Sequence, residues 1–183
     1  MKRIVFTLTL ILGMHVMANA QTASATASQS VALSLSNAIA ITFVTSGTNV
    51  GTAVSIPFVT VSDYTNGVTS SAQQLRVQSN KNFNVTVNAG STNFTYTGTA
   101  TPTPTMPVAG VLAIQVAANA TGGTVATAFN SAYGGLTTTS QTLITGGLNG
   151  GNQTFSVQYQ ATPGFAYPAG TYTTSVIFTA TQP

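Results

Sequence analysis

Few side chains of this protein can take part in acid–base or metal chemistry. Beyond residue 20 the chain has one carboxylate, Asp63, and two cations, Arg76 and Lys81, with no histidine and no cysteine. The formal net charge of +3 falls to +1 beyond residue 20, because the other two cations precede it. Most enzymes need groups that transfer protons or bind metal ions near neutral pH. The composition therefore argues against an enzyme and against any metal or other cofactor.

The three charged residues do not form a recognisable catalytic or metal-binding pattern. A tight calcium site uses several carboxylates, a glycosidase normally needs two, and a nucleophilic Ser or Thr needs an adjacent base. Asp63 lies in 62–67, whose composition predicts a turn with Asx-type hydrogen bonds and Gly67 in the left-handed region. Lys81 lies in the polar stretch 79–82, which predicts a solvated lysine rather than an isopeptide crosslink. Neither residue is a candidate catalytic group.

Four aromatic residues fall outside the regular strand pattern: Tyr64, Tyr133, Phe165 and Tyr167. Exposed rings can stack on sugar rings, which makes Tyr64, Tyr133 and Tyr167 candidates for a glycan-binding site. The same rings also suit anchors that hold loops over the ends of a β-sandwich. We favour the second interpretation, and the first supports an alternative function as a secreted glycan-binding or adhesin module.

The first 20 residues have the three parts of a secretory signal peptide. Lys2 and Arg3 precede the apolar stretch Ile4–Leu12, and Ala18–Ala20 supplies the small residues of a cleavage site. The apolar stretch is shorter than the ~20 residues that span a bilayer, and no later stretch is as long. We therefore predict export through the general secretory pathway, passage through the periplasm, and no membrane span in the mature chain. Two cations cannot neutralise a run of phosphates, so we expect no nucleic-acid partner.

Large apolar residues alternate with small or polar ones through most of the mature chain. The alternation runs along 31–43, with Asn37 as a bend or bulge, and it returns in shorter runs. These runs are at 54–58, 75–77, 83–87, 94–96, 112–116, 155–159 and 172–178. Strands at such intervals, separated by turn-forming residues, predict a single antiparallel sandwich or barrel over 21–183.

Several connections can also be predicted. The turn-rich stretch 88–92 indicates a hairpin between the strands on either side of it. The diglycines at 122, 134 and 146 are interpreted as successive turns. Residues 122–132 are the one place where the pattern allows a short helical turn, and 21–28 is the one stretch where disorder is expected.

The scarcity of charge has a consequence for the sheet edges. Soluble monomers usually protect an edge strand with lysines or inward-pointing charges, and a net charge near zero favours association. This chain has almost no charges to place there. We therefore expect its edges to be occupied by a neighbouring subunit.

The C-terminal stretch 163–181 resembles a known group of secreted bacterial domains. Its Ala169-Gly170-Thr171-Tyr172 step into an alternating last strand is similar to the closing strand of spore-coat-protein-U and archaic chaperone–usher pilin domains. It is also similar to a related exported family without an assigned function. The opening 23–27, which leads into the alternation at Val31, looks like the N-terminal segment of these domains. Together the two stretches cover about a quarter of the mature chain.

This resemblance implies an immunoglobulin-like antiparallel β-sandwich and, for its pilin members, polymerisation by donor-strand exchange. In that mechanism an N-terminal strand of one subunit completes the open sheet of the next. Here the donor strand would be Gln21–Leu35, with Val31, Leu33 and Leu35 as the side chains that fill pockets. The implied partners are further copies or sister subunits, with a periplasmic chaperone and an usher. The chain departs from the many pilins that carry a cysteine pair, since it has no cysteine.

The sequence thus predicts a non-enzymatic structural protein of the bacterial surface or extracellular matrix, a subunit of a fimbria-like fibre or coat.

Overall fold

The computed structural model describes residues 24–45, 51 and 53–183. The predicted signal peptide and the first residues of the predicted donor strand, 21–23, lie outside the described residues. The chain divides into two units, one ending at Leu35 and the other covering Ser36–Pro183. In the first unit, residues 24–35 are exposed and contain neither helix nor strand.

The regular secondary structure of the second unit is almost entirely β-strand, as the alternation predicts, although the run predicted at 54–58 forms no strand. One short helix, α1, spans Val61–Asn66, and one 3-10 turn spans Thr127–Phe129. The strands are β1 Ile39–Phe43, β2 Val68–Thr69, β3 Gln73–Ser79, β4 Phe83–Ala89, β5 Thr95–Thr97, β6 Leu112–Asn119, β7 Thr124–Val125, β8 Gly134–Gly135, β9 Gln141–Gly147, β10 Gly150–Ala161, β11 Thr171–Thr173 and β12 Val176–Thr181.

The strands form two main antiparallel sheets and one small ribbon. The first sheet has the order β1-β3-β10-β6-β8, with β2 pairing with the end of β10. The second sheet has the order β12-β4-β9-β7, and the ribbon pairs β5 with β11. Because β3 and β4 lie in different sheets and only three residues join them, the chain crosses between sheets at that turn. The prediction of an all-β antiparallel sandwich is confirmed.

The core lies between the two sheets and consists of the inward-facing positions of their central strands. Alternate residues of β3, β4 and β10 are buried, while the residues between them are partly exposed. This period of two is the pattern of a strand with one face covered. The fully buried apolar side chains include Leu75, Val77, Phe83, Val85, Val87, Ile114, Leu136, Leu143, Ile144, Phe155 and Val157.

The run predicted at 31–43 is a strand only in its second part, since β1 begins at Ile39. The side chain of Asn80 explains this boundary. Its Nδ2 donates to the Ser36 carbonyl at 2.7 Å, and its Oδ1 accepts from the Ala38 N–H at 2.9 Å. These bonds occupy backbone groups that a longer strand would use for pairing. Asn37 lies just before β1 and no strand precedes it within the described residues, so the prediction that it splits this run into two strands is wrong.

The structure confirms some of the predicted connections between strands and contradicts others. The hairpin across 88–92 is wrong, because β4 pairs with β9 and β12, whereas β5 pairs with β11. The last predicted run is two strands, β11 and β12, in different sheets. The helical turn allowed within 122–132 is confirmed by the 3-10 turn, but the prediction that this is the one such place is wrong, since helix α1 lies at Val61–Asn66. The diglycine at 122 lies in a turn, but Gly134–Gly135 is strand β8 and Gly146–Gly147 ends β9.

Candidate assembly edge and aromatic surface

The three charged residues lie on separate elements and do not act as a group. Asp63 belongs to α1, Arg76 to the middle of β3, and Lys81 to the exposed turn after β3. In the register of the first sheet, Arg76 stands between Thr42 of β1 and Thr154 of β10. Its buried Nε makes no hydrogen bond, and no ion pair forms within the described part of the chain. This placement provides no pair of groups for proton transfer.

One oxygen of the Asp63 carboxylate accepts two backbone hydrogen bonds at the start of α1. Its Oδ2 accepts from the N–H groups of Val59 at 2.8 Å and Thr60 at 2.7 Å, while the Thr60 hydroxyl accepts from the Asp63 N–H at 3.3 Å. This reciprocal arrangement is a capping box. The Thr60 N–H, followed by that of Val59, lowers the pKa of Asp63 below its ordinary value of 3.8. Gly67 ends the helix with φ of 77°, so the predicted turn chemistry is confirmed, although a one-turn helix replaces a simple turn.

Each main sheet has one outer strand on the same side of the sandwich, β1 in the first sheet and β12 in the second. We call this side the open edge; it consists of β1 (Ile39–Phe43) and β12 (Val176–Thr181). Each pairs on one side only, β1 with β3 and β12 with β4, as far as the described residues show. The Phe43 and Phe178 rings meet edge to face across it, with centroids 6.1 Å apart. Neither strand contains a charged residue.

A small apolar groove opens between the two strands of the open edge. Its volume is about 100 Å³. It is lined by Ile41, Thr42 and Phe43 of β1, Leu75 of β3, and Val176 and Phe178 of β12. This volume is smaller than the roughly 150 Å³ of a cavity that holds benzene, so the groove takes at most one aliphatic side chain.

The side chain of Gln182 links the end of β12 to the start of β1 at one end of the open edge. In the described residues β1 and β12 do not pair with each other through their backbones. Its Nε2 lies within hydrogen-bond distance of the Ala38 carbonyl at 3.0 Å, the Ser79 hydroxyl at 2.9 Å and the Asn80 Oδ1 at 3.0 Å. The residue after β12 is thereby held beside the start of β1 and the end of β3. The groove lies further along the same strands.

The three residues predicted to fill pockets of a neighbouring subunit lie in the first unit. Val31, Leu33 and Leu35 are 76%, 79% and 87% exposed. Exposed Leu and Val side chains at alternate positions, with Ala32 and Ser34 between them, are typical of a strand that has one apolar face. Their role as donor residues stays a prediction.

Two of the three predicted glycan-stacking residues, Tyr64 and Tyr167, each belong to a separate set of three rings in the second unit. Tyr64 packs between Phe58 and Phe165, with centroid distances of 5.3 Å and 5.5 Å. Tyr167 contacts Tyr172 at 6.3 Å, and Tyr172 contacts Tyr96 at 5.0 Å. No ring contact joins these two sets of three within the described residues, and we call the six rings together the aromatic surface.

The loop 163–170, which carries part of the aromatic surface, is held by two tyrosine hydroxyls. Tyr172 Oη donates to the Pro168 carbonyl at 2.9 Å, and Tyr96 Oη donates to the Ala169 carbonyl at 3.0 Å. A tyrosine near the start of a late strand that bonds backwards to the chain is also a feature of immunoglobulin-like sandwiches. Burial of the phenol, with smaller contributions from Tyr96, Tyr167 and Tyr64, raises the pKa of Tyr172.

Tyr133 stands apart from this group. It is partly buried beside β8 and has no ring contact with another aromatic residue in the described part of the chain. Phe165, in contrast, is 67% exposed and stacks on Tyr64, yet it was not among the predicted site residues. Its position between Gly164 and Ala166, outside any alternation, was the available signal.

Within the described ranges, no group of three or more potential metal-ligating side chains occurs, and no helix is both long and apolar enough to cross a bilayer. A scan against models of protein families gives no match, and a search of curated proteins gives none.

Proposed function

We propose that this protein is a non-enzymatic structural subunit that self-associates at the cell surface by adding a strand to the open edge. The observation that carries the proposal is the open edge itself: two uncharged outer strands, β1 and β12, with an apolar groove between them. An unprotected edge of this kind is a template for pairing with another chain. No charged residue of either strand opposes such pairing.

The donor in this proposal is the segment 31–35 of a second copy. Strand addition gains affinity from main-chain hydrogen bonds, and specificity from alternate side chains that enter pockets. Val31, Leu33 and Leu35 have this spacing and are exposed. Full burial of one such side chain contributes about 1.5–3 kcal/mol. One leucine or valine side chain buried in the groove would therefore supply a substantial part of the binding free energy of a weak contact between subunits.

The resemblance of 163–181 to the closing strand of spore-coat-protein-U and archaic pilin domains supports the same proposal. It adds sister subunits, a periplasmic chaperone and an usher as the partners to look for. It also makes a fimbria-like fibre or coat, outside the cell, the assembly to look for.

The proposal is tested with the chain from Gln21 in light scattering over a range of concentrations. We expect particles that grow with protein concentration. The double variant Leu33→Asp/Leu35→Asp should remain monomeric, because a charge in the groove is costly to bury. The control Ala32→Asp/Ser34→Asp adds the same charge on the opposite face and should assemble. A monomeric unsubstituted chain, or equal assembly of the two variants, would reject the proposal.

A further inference from the structure

The proposed donor segment, 31–35, is close in sequence to the acceptor strand of its own chain. Only residues 36–38 separate Leu35 from Ile39, where β1 begins. A segment on so short a tether has an effective concentration in the millimolar range at the edge of its own chain. It would occupy that edge before the segment of a dilute neighbour could, unless the fold opposes it.

The free side of β1 has backbone groups that such a segment could pair with. The Asn80 N–H donates to the Ala38 carbonyl at 3.1 Å, in the register that pairs β1 with β3. Residues of an antiparallel pair point their backbone groups alternately toward the partner strand and away from it. No described strand pairs with the three residues whose groups point away from β3, which are Ile39, Ile41 and Phe43.

A hairpin with 36–38 as its loop would also bring apolar side chains to the groove. It would set Leu33 opposite Ile41. Two residues further along, Val31 would stand opposite Phe43. Residues directly opposite each other in an antiparallel pair have their side chains on the same face, and Ile41 and Phe43 line the groove. Loops of three residues are common in hairpins. The sequence spacing therefore permits the segment to pair with its own edge, which we call self-capture.

Asn80 holds the residues of that loop in a different arrangement. Its Nδ2 donates to the Ser36 carbonyl at 2.7 Å, and its Oδ1 accepts from the Ala38 N–H at 2.9 Å. Because Asn80 directly follows β3, both bonds hold residues 36–38 on the side of β1 that faces β3. Self-capture needs the chain to turn toward the opposite side at these same residues. The Nε2 of Gln182 lies 3.0 Å from the Ala38 carbonyl and adds a further link there.

On the basis of the proposed function, we infer that Asn80 is a positioning residue that prevents self-capture, so that the open edge accepts the segment 31–35 of a second copy. Asn80 acts through Ser36 and Ala38 of its own chain and leaves the donor side chains available to a neighbour. Those side chains are largely exposed, and residues 24–35 contain neither helix nor strand. A head-to-tail contact of this kind between copies generates filaments or rings, whereas self-capture would end the assembly at the monomer.

Hydrogen exchange of the backbone amides in 31–35 tests this role of Asn80, because strand pairing slows exchange. The chain from Gln21 is measured at a dilution where light scattering shows monomers, and again where it shows assembly. In the unsubstituted chain these amides should exchange fast when dilute and slowly when assembled. In Asn80→Ala they should already exchange about tenfold more slowly in the dilute monomer, since two hydrogen bonds that oppose self-capture are gone.

Asn82→Ala is the matched control. Asn82 lies in the same turn, but its Oδ1 accepts from the Asn149 N–H and not from residues 36–38. This variant should therefore behave like the unsubstituted chain. The amide of Val85, a buried core residue, reports in the same data whether each variant is folded.

Two results would overturn the role of Asn80. One is slow exchange of 31–35 in the dilute unsubstituted chain, a measurement that needs no variant. The other is fast exchange of 31–35 in dilute, folded Asn80→Ala. Fast exchange in the unsubstituted chain at every concentration would instead reject strand addition itself, so failure of this inference and failure of the proposed function are distinguishable.

Discussion

The rings of Phe43 and Phe178 meet at an interplanar angle of 84° where the outer strands of the two sheets approach each other. Phe178 also contacts Phe155, a core residue of β10, with ring centroids 6.3 Å apart. The open edge is therefore continuous with the hydrophobic core. A strand added there would extend the core rather than cover a separate patch.

Truncating Phe178 should destabilise the sandwich, because its ring contacts both Phe43 and Phe155. The ring is only half-buried, so Phe178→Ala should lower the free energy of unfolding by about 2–3 kcal/mol, somewhat less than for a fully buried phenylalanine. Urea denaturation measures this value. The neighbouring Ile177→Ala, whose side chain faces outward, should cost less than about 1 kcal/mol. Equal losses for the two would mean that the aromatic contact across the edge contributes nothing specific.

Acid should weaken the fold through a single side chain. Asp63 is the only carboxylate side chain of the sequence, and the N–H groups of Thr60 and Val59 lower its pKa in the folded state. Its contribution to stability is therefore present above its ordinary pKa of 3.8 and is lost as the pH falls through the lower folded pKa.

Urea midpoints measured between about pH 6 and pH 2 check this prediction. The unsubstituted chain should lose stability below about pH 4, and Asp63→Asn should show a flatter profile because the titrating group is gone. The terminal carboxyl is common to both proteins and cancels in the comparison. Parallel profiles would show that the capping box does not couple to the fold.

Alkali should act through a different residue, Tyr159. This tyrosine is buried in β10, and burial raises its pKa above the ordinary 10.0. The phenol ionises more easily in the unfolded chain, so stability should fall as the pH rises above about 10. Tyr159→Phe should reduce this fall in unfolding experiments at alkaline pH, whereas Tyr133→Phe, outside the core, should retain it. An unchanged fall in Tyr159→Phe would contradict the prediction.

The two glycines of β8 should tolerate alanine very differently. A Cβ at Gly134 would lie 2.5 Å from Phe129 Cε1 and 2.8 Å from the Ala128 carbonyl oxygen, whereas one at Gly135 meets nothing within 4 Å. Gly134→Ala should therefore cost about 1–3 kcal/mol by overpacking, and Gly135→Ala less than about 0.5 kcal/mol. Thermal unfolding of the pair measures the difference. Equal melting temperatures would show that β8 moves aside freely.

Alternation of apolar and polar residues was enough to predict the strands of the core. Leu75 and Val77, or Phe155 and Val157, are buried on one face because their neighbours are polar and the period is two. The same pattern could not give the pairing of those strands. Strands that are adjacent in sequence, β4 and β5, lie in different sheets because their partners, β12 and β11, are distant in the chain.

The short helix and the start of β1 depend on single side-chain hydrogen bonds. Asp63 and Thr60 form α1 from a sequence that is otherwise typical of a turn. Asn80, 44 residues from Ser36, sets where β1 begins. The aromatic surface was partly visible, since Tyr64, Phe165 and Tyr167 fall outside the alternation. The stacking contact between Tyr64 and Phe165 joins residues 101 positions apart, and no local pattern contains it.

Disulfide trapping tests the strand-addition account most directly, because the chain has no cysteine of its own. One sample of chain from Gln21 carries Leu33→Cys, and a second carries Val176→Cys in the groove of the open edge. Mixing and mild oxidation should give a covalent dimer with one chain of each kind, identified by its mass. Ser34→Cys in place of Leu33→Cys points to the opposite face of the donor strand and should give little dimer. Equal yields from the two donors, or no mixed dimer from either, would contradict the account.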